Sequence, residues 1–524
     1  MLKFSFTFFG YPGSSMPHKL VVNPGELTHE QLSQVYRGAR QIELNESCWA
    51  EVDRSHDVVS ALLKQGDSIY GLNTGFGLLA NKRIPDSDLE RLQLNIVRSH
   101  CAGIGELLDD SIVRLIMLLK AASLARGYSG VRPVVIQTLL ACLNAGILPC
   151  IPGKGSVGAS GDLAPLSHMS LALIGEGEVR LNGVVVPSAQ ALAQHKIEPL
   201  RLGPKEGLAL LNGTQVSTAL ALAGFYEAMT CLQAGMVAGA LSVDAAMGSD
   251  TPFDPRIHEI RNHPSQIQCA DIYRSLLQGS DIRDSHRDCS RVQDPYSLRC
   301  QPQVMGACLE LLQHAGTVLS RESNAVSDNP LVFHDDQTIL SGGNFHAQPV
   351  AFAADQIAMA ISEIGSLSER RIALLIDKHL SELPSFLVED GGLNSGFMIP
   401  QVTAAALTSE NKHLASAVSI DSLPTSANQE DHVSMATYAA RRLEPMNANT
   451  AAIIGIELLA ACQGIDFRKP LRTSPKLTFV YELVRSKVKF YEQDRPFHQD
   501  IAWVTDNVVC DHGLAGKLDM PRLF

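Results

Sequence analysis

A mainly α fold, a large helical bundle with few short strands, is what this sequence predicts, and three observations predict it. The 524 residues hold only 17 Phe, 10 Tyr and 2 Trp while Ala and Leu are abundant, a balance that favours helices over sheets. Apolar residues recur at helical spacing over long stretches that are too apolar for helices lying on a surface. Strand signals are confined to two short hairpins. With 45% hydrophobic and 19% charged residues, the chain has ample material for a packed core and does not read as disordered. The formal net charge is −12 and no basic run stands out, which argues against nucleic acid and anionic membranes as partners.

From the N-terminus, residues 1–16 are expected to form an extension outside the fold. Their Phe-rich stretch is short, is broken by Ser and Thr, and leads to no clear cleavage site, so a signal peptide is not predicted. Residues 17–213 read as an N-terminal part. In it a helix is expected from about Leu107 to Arg126, ended by Gly127, and another from Val134 to Leu143, stopped by Asn144-Ala145-Gly146. A hairpin is expected over Val179–Val186 with Asn182-Gly183 at its turn. Residues 214–470 read as a central bundle of long helices, from about Thr214 to Met247 and over 301–323, 347–372 and 446–463. A second hairpin spans Leu331–Leu340. Residues 471–524 read as a helical tail.

Two uncharged stretches, 133–153 and 207–226, contain Asn, Gly or Pro at places that spoil a membrane span, and they are read as buried segments of a soluble cytoplasmic protein. The eleven cysteines are irregularly spaced with no C-x-x-C, as expected of buried thiols in a reducing compartment. His258, His263, His286 and Cys289 lack ligand spacing, so no metal is expected.

Residues 153–161 read GKGSVGASG, and Gly153, Gly155 and Gly158 fit G-x-G-x-x-G. That pattern signals a dinucleotide only after a strand and inside a βαβ unit, and here the surroundings are helical. A sharper reading starts from Ala159-Ser160-Gly161. Gly161 has no side chain, so its backbone nitrogen can approach the carbonyl carbon of Ala159. Ring closure there, with loss of water from Ser160, gives a methylidene-imidazolone, an electrophile built from the chain itself. Asp162 either polarises this loop or caps the helix that starts near Leu163.

The string GSVGASGDLAPLSHMSLALIGEG around that tripeptide is highly specific. With it, in order, stand YGLNTGFG from Tyr70, RSHCAGIG from Arg98, LLNGTQ from Leu210, VQDPYSLRCQPQ from Val292, SDNPL from Ser327, GGNFHA from Gly342 and SANQEDHVSM from Ser426. On these motifs the chain resembles the aromatic amino acid ammonia-lyase family, from about Leu20 to Arg468 and more weakly in the tail.

The resemblance implies an enzyme that removes ammonia from an aromatic amino acid without oxidation. The cyclised Ala159-Ser160-Gly161 is the implied internal electrophile, so no external cofactor is required. It implies Tyr70 as the base for the β-proton, which demands activation because a free phenol has a pKa of about 10. It implies that Tyr296 assists the electrophile and holds the amine, and that Arg299 binds the α-carboxylate through its guanidinium fork. Gln293 belongs to the same motif. Asn212 and Gln303 are expected to bond the prosthetic ring or substrate, Asn329 the carboxylate, and Phe345 to wall the electrophile.

The resemblance places substrate choice at Ser99-His100, where phenylalanine enzymes of the family usually carry an apolar pair, and at Glu430, where they typically carry an amide. A polar pair disfavours a bare phenyl ring, whose presence leaves those groups unpaired. Glu430 can accept from an imidazole N–H while His100 binds the other side of the ring. The expected reaction is therefore L-histidine to trans-urocanate and ammonia. The alternatives are a tyrosine lyase or aromatic 2,3-aminomutase on the same scaffold, or a non-catalytic helical scaffold. The resemblance also implies a homotetramer with active sites shared between subunits, so that Tyr70 and Arg299 need not come from the chain that supplies Ala159.

Overall fold

The computed structural model describes residues 19–38, 40–65, 73–74, 83–286 and 292–524. Four long helices make the centre: Gln215–Ala245, Gln301–Ser323, Gln348–Ile376 and Leu443–Phe467. They pack on one another along their lengths, with Met398–Leu414 laid against the last two. Gln215–Ala245 is buried on nearly every face. That explains a composition hydrophobic all round: this helix lies inside the bundle and has no water-facing stripe to keep polar. Among the described residues, three helices (Gln215–Ala245, Gln348–Ile376 and Ala436–Phe467) are long and apolar enough to cross a bilayer by length and composition. At least 72% of each apolar window is buried inside the protein.

The mainly α fold expected from the sequence is the fold observed. The predicted Thr214–Met247 helix is Gln215–Ala245, the 347–372 segment is Gln348–Ile376, and 446–463 lies inside Leu443–Phe467. Pro133–Asn144 places Pro at its first turn, where no amide hydrogen is missed. The expectation of a helix from Leu107 needs correction. Ile104–Leu107 is a strand, paired antiparallel with Pro152–Lys154, and the helix is Asp110–Leu124. Gly105, at φ +93°, has a backbone that no regular right-handed helix contains.

Both hairpins form. Glu178–Leu181 pairs antiparallel with Val184–Pro187, and Leu331–Phe333 with Thr338–Leu340. Asn182 and Gly183 both have positive φ, as a two-residue turn of this kind requires. The C-terminal tail folds back on the bundle, where the ring of Phe524 meets those of His29 and Phe225.

Candidate active site

The 153–162 loop leaves the Pro152–Lys154 strand and enters the Leu163–Leu173 helix. Its strand partner is antiparallel, so the glycine pattern sits in no βαβ unit. Gly161 has φ +78°, and a Cβ there would lie 2.4 Å from the backbone nitrogen of Gly213. Only glycine fits. Gly161 forms an isolated parallel bridge with Gly213, and the Asp162 amide donates to the Gly213 carbonyl over 2.8 Å. The tripeptide is thus clamped flat against the Asn212-Gly213 turn.

Asp162 is fully buried, and it does not cap its own helix. Its carboxylate accepts from Ser156 Oγ (2.8 Å), Ser217 Oγ (2.7 Å), Thr437 Oγ1 (2.9 Å) and the Ser217 amide (2.7 Å). Ser217 lies in the first turn of the Gln215–Ala245 helix. Asp162 therefore caps that 31-residue helix from across the site, where the positive end of the helix dipole favours a carboxylate.

Ser160 donates its hydroxyl to Glu430 Oε1. Thr425 and Ser426 donate to the other oxygen. Burial pushes the Glu430 carboxyl up, but these hydrogen bonds and the nearby His100 outweigh it and hold the group below its ordinary range. His100 ends the Leu89–His100 helix, with its Nδ1 3.0 Å from Ser99 Oγ. Burial lowers the His100 pKa against the opposing pull of Ile96 and Glu430. At neutral pH this places a neutral imidazole near an ionised carboxylate at the Ala159-Ser160-Gly161 loop.

Phe345 and Asn329 belong to this same end. The Ala347 amide donates to the Gly158 carbonyl, which draws the Phe345 turn against the loop. Asn329 accepts from the Gly342 amide over 2.7 Å and donates to Ser341, so its amide holds that turn in place. Asn212 is buried, and its Oδ1 has no hydrogen-bond partner among the described residues.

Gln293, Tyr296, Arg299 and Gln303 are placed elsewhere. Tyr296–Arg299 is a short helix leading into Gln301–Ser323, and Gln301 donates to the carbonyl of Gly239. Gly239 is near the far end of the Gln215–Ala245 helix, about 35 Å from Thr214 at 1.5 Å per residue. Within one chain these four residues do not meet Ser160. Tyr296 is 71% exposed with the Arg299 guanidinium 4.7 Å from its ring centre. Gln293 is exposed as well. Arg299 Nε and Gln303 Oε1 have no partner among the described residues. Tyr70 and Cys289 lie outside the described residues. Of the candidate zinc residues, His258 is bonded to the Pro252 carbonyl and to Gln266.

Sequence reasoning missed Thr425, Ser426, Ser217 and Thr437, whose hydroxyls hold Glu430 and Asp162; nothing local distinguishes them from other polar residues. It also missed Lys120, buried with its amine on the Asn212 and Ala209 carbonyls. A lysine set between the apolar runs Leu115–Leu119 and Ala121-Ala122 was the available signal.

A helical bundle that sets an Ala-Ser-Gly turn against Gly213 and beside Glu430 is the architecture of a carbon–nitrogen lyase. The chain belongs to the aromatic amino acid lyase family, whose model matches residues 27–486. It is 60% identical to a histidine ammonia-lyase of Aliivibrio fischeri over 486 residues, 93% of this chain and 95% of that one. Among solved structures it resembles histidine ammonia-lyase from Trypanosoma cruzi, with a TM-score of 0.89, 40% identity, and coverage of 96% and 95% of the two chains. It also resembles a tyrosine aminomutase from Streptomyces globisporus, with a TM-score of 0.90, 36% identity, and coverage of 95% and 98%.

Proposed function

We propose that this protein eliminates ammonia from L-histidine to give trans-urocanate. The observation that carries the reading is the Glu430 carboxylate, anchored beneath Ser160 with His100 beside it. The names of the Aliivibrio and Trypanosoma relatives support it.

Ala159, Ser160 and Gly161 suit cyclisation to a methylidene-imidazolone. Gly161 is held where no side chain fits, Asp162 is fixed by four hydrogen bonds, and the Asn212 oxygen beside them is free for a new partner. When formed, that group supplies an electrophilic carbon for the substrate amine, which is otherwise a poor leaving group. Loss of the Ser160 hydroxyl releases Glu430 Oε1, which then accepts from an imidazole N–H of the substrate. His100, neutral at pH 7, binds the opposite side of the ring. Tyr70 takes the β-proton, Arg299 holds the carboxylate as a bidentate fork, and Tyr296 steadies the amine.

Arg299 and Tyr296 reach the loop from a second copy of the chain. Their separation from Ser160 within one subunit, the unpaired Nε of Arg299 and the exposed apolar residues Phe352, Met359, Ile399 and Val402 support a homotetramer with shared sites. The cytoplasm suits such an enzyme, since the ten described cysteines are all free thiols.

Incubation of the purified protein with L-histidine, L-tyrosine or L-phenylalanine, with no cofactor added, tests the reading. Growth of urocanate absorbance with histidine alone is expected. Coumarate, cinnamate or a β-amino acid as the main product would overturn the substrate assignment.

A further inference from the structure

Lys120 is 1% exposed and makes no contact that the proposed elimination uses. Its Nζ donates to the carbonyl of Asn212 over 2.6 Å and to that of Ala209 over 3.2 Å. Both carbonyls belong to the C-terminal end of the Glu206–Leu211 helix, where carbonyls lack partners within the helix and favour a cation. The Asn212 carbonyl and the Gly213 amide are the two halves of one planar peptide. Fixing the oxygen therefore fixes the nitrogen on the opposite edge, and that nitrogen abuts Gly161. The next carbonyl, of Gly213, receives the Asp162 amide. One amine thus sets the surface against which the reacting tripeptide lies.

We propose that Lys120 is a positioning residue for self-cyclisation of Ala159-Ser160-Gly161, holding the Asn212-Gly213 peptide against Gly161. The inference rests on the cyclisation assigned above. In that reaction the Gly161 nitrogen bonds to the Ala159 carbonyl carbon. The carbonyl oxygen leaves as water with hydrogens from the Gly161 and Ser160 nitrogens. The Ser160 hydroxyl leaves as a second water with the Ser160 Cα hydrogen. No oxidant or reductant is needed. The charged groups around Lys120 are Asp328 and Asp162, which favour its protonation, and Lys205, which opposes it. Lys205 is itself paired with Asp328 over 2.7 Å. Burial pushes the Lys120 pKa down to about 7, and a neutral amine still has two N–H donors for its two carbonyls.

The test compares wild type, Lys120→Met, Lys120→Gln and Leu115→Ala, the last emptying a buried site on the same helix. Intact mass and the near-ultraviolet absorbance of the cyclised ring are followed after synthesis. Wild type should weigh two waters less than its sequence. Lys120→Met should mature at least about tenfold more slowly, the loss expected when a buried charged donor disappears. Lys120→Gln, whose amide restores donors, should fall between them, and Leu115→Ala should mature fully. Maturation of either Lys120 variant at the wild-type rate overturns the proposal, and so does a Leu115→Ala chain as impaired as Lys120→Met. A wild-type chain of unaltered mass would instead overturn the cyclisation itself.

Discussion

The two ends of the bundle are built on opposite plans. At the Ala159-Ser160-Gly161 end, the charged groups are closed into short circuits, with Asn212 Oδ1 left open: Asp162 has four donors, Glu430 three, and Lys120 two acceptors. At the Tyr296–Gln303 end, an arginine and an amide keep unpaired atoms, and a tyrosine projects into solvent. Buried polar groups left unpaired cost stability, so a chain retains them where a partner completes them later. The first end is held together within one chain, and the second, on the proposed shared site, is completed by another copy.

Replacement of Ser160 by Ala should have the largest effect. On the proposed cyclisation the hydroxyl is the group expelled, so activity should fall at least about a thousandfold with the fold unchanged, the loss expected when an electrophile worth several kcal/mol of barrier is not formed. Residual turnover within tenfold of wild type, read as urocanate formation, would detach the chemistry from this loop.

Arg299→Met should come next. Loss of a bidentate charged contact to the substrate costs about 3 kcal/mol, or roughly a hundredfold in kcat/KM. It should leave the loop mature by mass, because Arg299 lies at the other end of its own chain. Impaired maturation in this variant would erase the distinction between the two ends.

His100→Gln should raise KM about tenfold, the value of one ring hydrogen bond. Its pH behaviour has a definite sign. Burial holds the His100 pKa below the ordinary 6.5, so the group is neutral above that pH and titrates only as pH falls further. Glu430 keeps its Thr425 and Ser426 donors after the Ser160 hydroxyl is lost. An acid limb in kcat/KM below pH 6.5 should therefore shrink in His100→Gln, while the profile above pH 7 keeps its shape. Stopped assays across pH 5 to 8 check this.

Gly183→Ala should do least. A Cβ there meets nothing within 4 Å, so only the positive φ is penalised, by about 1 kcal/mol of stability. Gly161→Ala shares the positive φ but collides with Gly213, and it should abolish maturation. Thermal melts and mass measurement separate the two cases.

Much of this architecture was legible beforehand. Helices such as Gln215–Ala245 announce themselves because a fully buried helix must be apolar on every face. The Asn182-Gly183 turn is equally plain, since few residues tolerate its backbone. The Ile104–Leu107 strand was not foreseen, and the helix was begun at about Leu107, because four exposed residues, two of them apolar, show neither helical nor strand periodicity. The electrophile loop was legible through the motifs surrounding it. What stayed hidden is long-range. Asp162 caps a helix 55 residues downstream, and Glu430 reaches back 270 residues to Ser160. No local pattern encodes such pairings. The distance between Ser160 and Arg299 was equally invisible, because motifs give order along the chain and not position in space.

The most direct test of a site divided between copies is co-expression of Ser160→Ala and Arg299→Met chains, each poorly active alone. If every site takes its loop from one subunit and its arginine from another, random mixing gives intact sites in about a quarter of cases, and urocanate formation should recover to about that fraction of wild type. Mixed assemblies no more active than the sum of the two parents would contradict the account.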